Sequence, residues 1–186
     1  MSKKVLVPIA TGTEEIETAC IIDTLRRAQA DVTVASVGDI TITASRGLKI
    51  TADCLISDCI NETFNLIALP GGMPGAGYLR DCDVLIKMLK DQISANRLYA
   101  AICASPAVVL AHHGLLKNKK ATCYPSAIDQ LPDSSSANQI VVVDGNCITS
   151  QGPATALPFA LKLVEMLFSL ETAKNIANAM LVNDYK

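Results

Sequence analysis

One of the seven cysteines stands at a corner of the chain. Cys103 follows the short apolar run "LYAAI" and opens "CASPAVVLAHH", whose rhythm is different. Ser105 suits a helix N-cap and Pro106 the first helical position. A helix therefore begins almost on the cysteine, leaving a very tight strand-to-helix turn. Ala101, Ala104 and Ser105 are small, as the crowding at a nucleophile elbow requires. A thiol facing a helix N-terminus has a lowered pKa, because the amide dipoles favour thiolate. The expectation is a nucleophilic Cys103 rather than a small buried residue at a strand end. Its oxyanion hole would use the N–H of Ala104 and that of Gly72, where the backbone can approach closely. Gly71, beside it, belongs to the same expected substrate-binding loop.

A nucleophile of this kind needs a proton carrier, and Glu17 is the candidate. It lies one turn into an expected helix, while Glu14 and Glu15 read as capping or solvated. Thr11 and Glu14 have capping-box spacing. Like charge and burial would push a carboxylate near a thiolate toward its protonated form. It could then hydrogen-bond the sulfur and shuttle protons. His112 and His113 sit far along the helix from Cys103 and read as cations at its C-terminal end. Being adjacent, they point different ways, so they make no metal pair. No zinc spacing occurs. "PGGMPGAG" reads as a glycine-proline loop and matches neither a dinucleotide fingerprint nor a P-loop.

The elements that would position these residues alternate. "KVLVPIA" (4–10), "DVTVASV", "FNLIALP" and "RLYAAIC" read as buried strands. "TGTEEIETACIIDTLRRAQA", "DVLIKMLKDQISAN" and "SPAVVLAHHG" read as helices. "DITITASRGLKITAD" predicts a hairpin, as does "QIVVVDGNCITSQGP", turning on Asp144–Gly145. "TALPFALKLVEMLFSLETAKNIANAM" predicts one helix. Continuous apolar strands separated by helices mean a mostly parallel sheet covered on both faces, in a single α/β domain over residues 1–186. In such sheets ligands bind beyond the carboxyl ends of the strands. "TGTEE", "PGGMPGAG" and "CASP" all leave those ends.

Composition narrows the function. Half the residues are hydrophobic, 18% are charged and the net charge is −2. That supports a sizeable core and no dedicated nucleic-acid surface. The N-terminal apolar stretch is too short for a signal peptide, and no run approaches a membrane span. Seven cysteines without Cys-x-x-Cys fit free thiols in a reducing compartment. The expectation is a soluble cytoplasmic protein.

"PIATGTEEIET", "IALPGGMPGA", "AAICASPAVVLAH" and "TSQGPATA" together resemble the DJ-one family of the ThiJ/PfpI superfamily, nearest its redox-sensing, glyoxalase and deglycase branch. The resemblance implies a flavodoxin-like three-layer sandwich and a homodimer. It makes Cys103 the reactive cysteine, Glu17 the protonated carboxylate beside it, and Gly72 and Ala104 the oxyanion donors. Asp23 and Arg46 would match polar residues near the dimer interface and pocket.

Three positions depart from the pattern. Tyr124 replaces a common pocket histidine, Gln151 an arginine, and Thr51 a peripheral cysteine. The PfpI-type proteases of the superfamily place a histidine directly after the cysteine, where Ala104 stands here. Glutamine amidotransferase chemistry needs a downstream histidine, and none follows His113.

The implied activity is glutathione-independent conversion of methylglyoxal-type α-oxoaldehydes, or deglycation of proteins and nucleotides, in oxidative-stress protection. It would need no cofactor and no metal. The alternative is a redox sensor or chaperone, with oxidation of Cys103 to sulfinate as the functional event. A role in thiamine synthesis rests only on the superfamily's name.

Overall fold

The computed structural model describes residues 2–183 and 185. Lys4–Ile9 (β1) leads through Glu15–Arg27 (α1) to Asp31–Ser36 (β2). Thr41–Thr43 (β3) and Lys49–Thr51 (β4) form the expected hairpin, apart from the main sheet. Cys54–Leu55 (β5), a single turn over Ile56–Cys59, and Leu66–Leu69 (β6) follow. Gly75–Arg80 (α2), Asp83–Ser94 (α3) and Leu98–Ile102 (β7) precede a short helix over Pro106–Ala111. Val141–Asp144 (β8), Cys147–Ser150 (β9), Ala156–Leu167 (α4) and Leu170–Ala179 (α5) complete the order.

The main sheet runs β5-β2-β1-β6-β7-β9-β8. All its pairs are parallel except β8 with β9. This is the mostly parallel, doubly covered sheet expected from continuous apolar strands, and the flavodoxin-like three-layer sandwich that the resemblance implies. Period-2 alternation splits the core between the two faces. Val5, Val7, Ile9, Leu66 and Ala68 pack with Ile21 and Leu25 of α1 and Phe159 and Leu163 of α4. Leu6, Ile67, Leu69 and Tyr99 pack with Leu85 and Leu89 of α3.

Several local expectations are corrected. Thr11 does not cap α1. Gly12 turns at φ +85° and the Thr13 hydroxyl accepts the Ala10 N–H, so the helix starts later. Glu14 is the cap, its Oε2 accepting the Glu17 N–H at 2.8 Å. The glycine-proline stretch is not all loop, because Gly75–Arg80 winds into α2. The long C-terminal helix is two. Phe168 leaves the helical region, and Ser169 starts α5 by accepting the Thr172 N–H at 3.1 Å. The β8–β9 turn is made by Gly145 and Asn146, one residue beyond Asp144–Gly145. The helix after Cys103 is wound wide, with Leu115 N–H reaching back five residues to the Leu110 carbonyl at 2.8 Å. His113 lies just past it, its Nε2 against the Arg80 carbonyl at 2.8 Å, so it serves as a link to the end of α2. Among the described residues no helix is long and apolar enough to cross a membrane.

Candidate active site

β1, β6 and β7 end on the same edge of the sheet, and their following loops converge there. Cys103, directly after β7, adopts φ +64°, a left-handed conformation unusual for a residue with a side chain. The surroundings hold it in that conformation. Its N–H donates to the Ser150 carbonyl at 3.1 Å, and its carbonyl accepts the Tyr124 N–H at 2.7 Å. Gly71 backs the corner so closely that a Cβ there would lie 2.6 Å from the Cys103 Cβ. A strained, over-determined turn of this kind exposes a side chain at a sheet edge.

Ser105 acts differently from the expectation. It is already helical and caps nothing; its hydroxyl donates to the Pro70 carbonyl, tying the elbow to the loop after β6. No sequence motif announces that contact, which joins residues of two loops.

Glu17 is wholly buried, and its Oε2 accepts the Gly71 N–H at 2.7 Å. Gly71 therefore spends its donor on the carboxylate and is not an oxyanion donor. The other oxygen, Oε1, has no conventional hydrogen-bond partner, and the side-chain group that the carboxyl meets is the Cys103 thiol. Burial raises the Glu17 carboxyl to about 7, against the pull of the Gly71 N–H.

Cys103 is 8% exposed, and the N–H groups of Gly72 and Ala104 are directed at its sulfur. They act as expected of amide dipoles, drawing the thiol pKa down. Burial outweighs them, and with the ionised Glu17 it pushes the thiol up to about 12. The net direction is opposite to that expected from the helix N-terminus alone. Above neutrality the pair holds one proton between two acceptors. Protonation of Glu17 removes its repulsion of the sulfur and leaves it a donor.

The sulfur opens into a cavity of about 540 Å³, lined among others by Gly72, Ala104, Arg46, Tyr124 and Gln130. Gly72 turns at φ +89° with Glu14 N and Gly12 O so near that no side chain fits. Arg46 comes from the β3–β4 turn, where its N–H donates to Glu15 at 2.9 Å. Gln130 and Ser126 join the wall with no signal in the sequence, since the Tyr124 N–H contact is what returns their segment to the elbow. Two expected pocket residues do not reach the cavity. Asp23 pairs with Arg27 at 2.7 Å on an exposed face of α1. Gln151 turns away, donating to the Ala137 carbonyl at 3.0 Å.

A parallel α/β sandwich with a left-handed cysteine on a strand-to-helix turn and a buried carboxyl against it defines a class of cysteine-elbow proteins. Residues 3–166 match the DJ-1/PfpI family, and the chain belongs to that family. It is 47% identical over 180 residues to Protein DJ-1 homolog B of Arabidopsis thaliana, covering 96% of this chain and 41% of that protein. The chain thus spans less than half the length of that relative. It is 36% identical over 165 residues to the glutathione-independent glyoxalase DJR-1.2 of Caenorhabditis elegans, covering 88% of this chain and 87% of that one. The structure of oxidized Toxoplasma gondii DJ-1 superposes with a TM-score of 0.95 at 51% identity, over 98% of this chain and all of that one.

Proposed function

We propose that this protein is a cofactor-independent glyoxalase acting on small α-oxoaldehydes of the methylglyoxal type. The observation that carries the reading is the buried Glu17–Cys103 pair beneath a solvent-connected cavity. The name of the Caenorhabditis elegans relative supports the substrate class.

The Cys103 sulfur adds to the aldehyde carbon, and the thiol proton passes through Glu17 to the aldehyde oxygen, giving a hemithioacetal and leaving Glu17 ionised as a base. The Gly72 and Ala104 N–H groups stabilise the oxyanion that develops beside them. Glu17 then moves a proton from the former aldehyde carbon to the neighbouring one through an enediol. The product is a thioester of lactate, and water releases lactate and restores the thiol. The sum is methylglyoxal plus water to lactate, with no external oxidant or reductant. Carbinolamine adducts of methylglyoxal on proteins or nucleotides would enter the same route as deglycase substrates.

The working form in this reading is a cytoplasmic homodimer of this domain. Ile16 and Leu48, exposed around the α1 face, are its apolar support. The test of the activity is lactate formation by wild type and Cys103→Ser. Wild type should turn over and the variant should not; equal turnover by both would end the proposal.

The same groups support a second reading, redox sensing. Glu17, Gly72 and Ala104 form a set of donors suited to sulfinate oxygens on Cys103, and the similar Toxoplasma gondii structure is of an oxidized protein. Two equivalents of peroxide would oxidise the thiolate to sulfinate, releasing two waters. Mass spectrometry after mild peroxide should then find sulfinate at Cys103 before any other cysteine. Sulfinate appearing elsewhere first would remove this reading.

A further inference from the structure

The seven cysteines are irregularly spaced, but two of them meet at the far edge of the sheet. Cys54 Sγ and Cys59 Sγ lie 3.6 Å apart. Cys54 is the first residue of β5, the edge strand paired to β2 through Ala35 and Ser36. The strand is fixed one residue earlier. Asp53 Oδ2 accepts the Val34 N–H at 2.8 Å, and the Asp53 N–H donates to the Val34 carbonyl at 2.8 Å. The chain then reverses at once. Asp58 Oδ2 accepts the Leu55 N–H at 3.1 Å, closing the single turn that carries Cys59 back over Cys54. The juxtaposition is built by two side chain–backbone bonds on either side of it.

The two thiols differ. Cys54 is half-buried and reaches solvent, whereas Cys59 is 3% exposed. Burial, then Cys54, Asp58 and Glu62, raise the Cys59 thiol to about 12, so it stays protonated until a partner sulfur is activated. Among the described residues no group of three or more His, Cys, Asp or Glu is placed to hold a metal ion. The pair's available chemistry is with itself.

We propose that Cys54 and Cys59 are a reversible dithiol–disulfide site, closed by hydrogen peroxide and independent of Cys103. The Cys54 thiolate attacks the peroxide, taking one oxygen as sulfenic acid and releasing hydroxide or water. Cys59 sulfur then attacks the Cys54 sulfur and the S–O bond breaks. The Cys59 proton leaves with that oxygen as water. Two thiols lose two electrons, and one peroxide becomes two waters. The sulfurs must close from 3.6 Å to a bonded separation of about 2 Å. The bond would staple the edge strand β5 to the turn that follows it. A dithiol thioredoxin-type reductant would reopen it by exchange.

The experiment is peptide mapping of the full chain under non-reducing conditions after a small molar excess of hydrogen peroxide. Trypsin leaves both cysteines on the single peptide 50–80, which contains no others. That peptide should become lighter by two hydrogen atoms and recover its mass with dithiothreitol. The change should persist in Cys103→Ser, which separates it from any failure of the elbow chemistry. Cys59→Ser should instead trap Cys54 as a sulfenic acid captured by dimedone, and Cys54→Ser should leave Cys59 a free thiol. Recovery of both as free thiols, or as separate sulfinic acids with no internal bond, would overturn the proposal.

Discussion

Glu17 and Cys103 come from different elements, yet they form one buried unit. The carboxyl is fixed by the Gly71 N–H at 2.7 Å, and the thiol is fixed by its left-handed backbone. No other described side chain satisfies Glu17 Oε1. The pair is therefore a proton-sharing couple whose titration belongs to both members.

Glu17→Gln preserves the shape and an acceptor for the Gly71 N–H, but it cannot hold or release a proton. With methylglyoxal, kcat should fall by about a hundredfold or more, the usual scale for a lost general acid–base. KM should barely move, because the aldehyde is held through the Cys103 sulfur and the Gly72 and Ala104 N–H groups, which the substitution keeps. Steady-state kinetics check this. A kcat within about threefold of wild type would remove Glu17 as the proton carrier.

Stability should depend on pH with a definite sign. The Glu17 carboxyl ionises near 4.5 in the unfolded chain and near 7 in the fold, so between these values the folded state holds the extra proton. Stability is then greatest below about 4.5 as far as this group is concerned. It falls as pH rises to about 7, by about 3 kcal/mol if the whole gap is expressed. Glu17→Gln has no such proton. Denaturant unfolding across that window should give a flatter profile for the variant than for wild type, and parallel profiles would contradict the assignment.

Two glycines make a contrast that activity does not enter. Gly72 has φ +89°, and a Cβ there would lie 2.4 Å from Glu14 N, a backbone atom that cannot yield. Gly72→Ala should cost about 3 kcal/mol or more, combining left-handed strain with overpacking. Gly77 is in the short helix α2, and a Cβ added there would meet nothing within 4 Å. Gly77→Ala should raise stability by roughly 0.5–1 kcal/mol. Urea midpoints of the two variants should move in opposite directions.

The sheet was legible because β6 and β7 are apolar along their whole length, which only a strand covered on both faces tolerates. Cys103 was legible because the strand, small residues and Pro106 are adjacent in sequence. What escaped depends on contacts distant in the chain. The direction of the Cys103 shift is set by burial and Glu17, which its neighbours do not encode. Gly71 lay within the expected loop, but which N–H serves the carboxylate is fixed only when α1 docks. The α4–α5 break hid because both halves are helical sequences and the stop lies in the backbone of Phe168. Asp23 and Gln151 were expected from resemblance, and local ion pairing and the Ala137 contact hold them elsewhere.

Tyr124 tests whether the elbow needs a third group. Its N–H fixes the Cys103 carbonyl at 2.7 Å, a backbone contact that any side chain but proline preserves. Its ring lies against Gly152, with ring carbon Cδ2 3.3 Å from where a Cβ would stand, and nearly half the residue is exposed at the cavity wall. Its hydroxyl makes no hydrogen bond among the described residues, so it is not positioned by the protein as an acid or base. Tyr124→Phe should therefore keep kcat/KM for methylglyoxal within about tenfold of wild type, less than the loss of one contact worth about 1.4 kcal/mol. Tyr124→Ala should do more harm through KM, because it removes a wall of the cavity while the proton couple stays intact. A collapse of kcat in Tyr124→Phe, with KM unchanged, would place a proton on the phenol and break the two-residue mechanism.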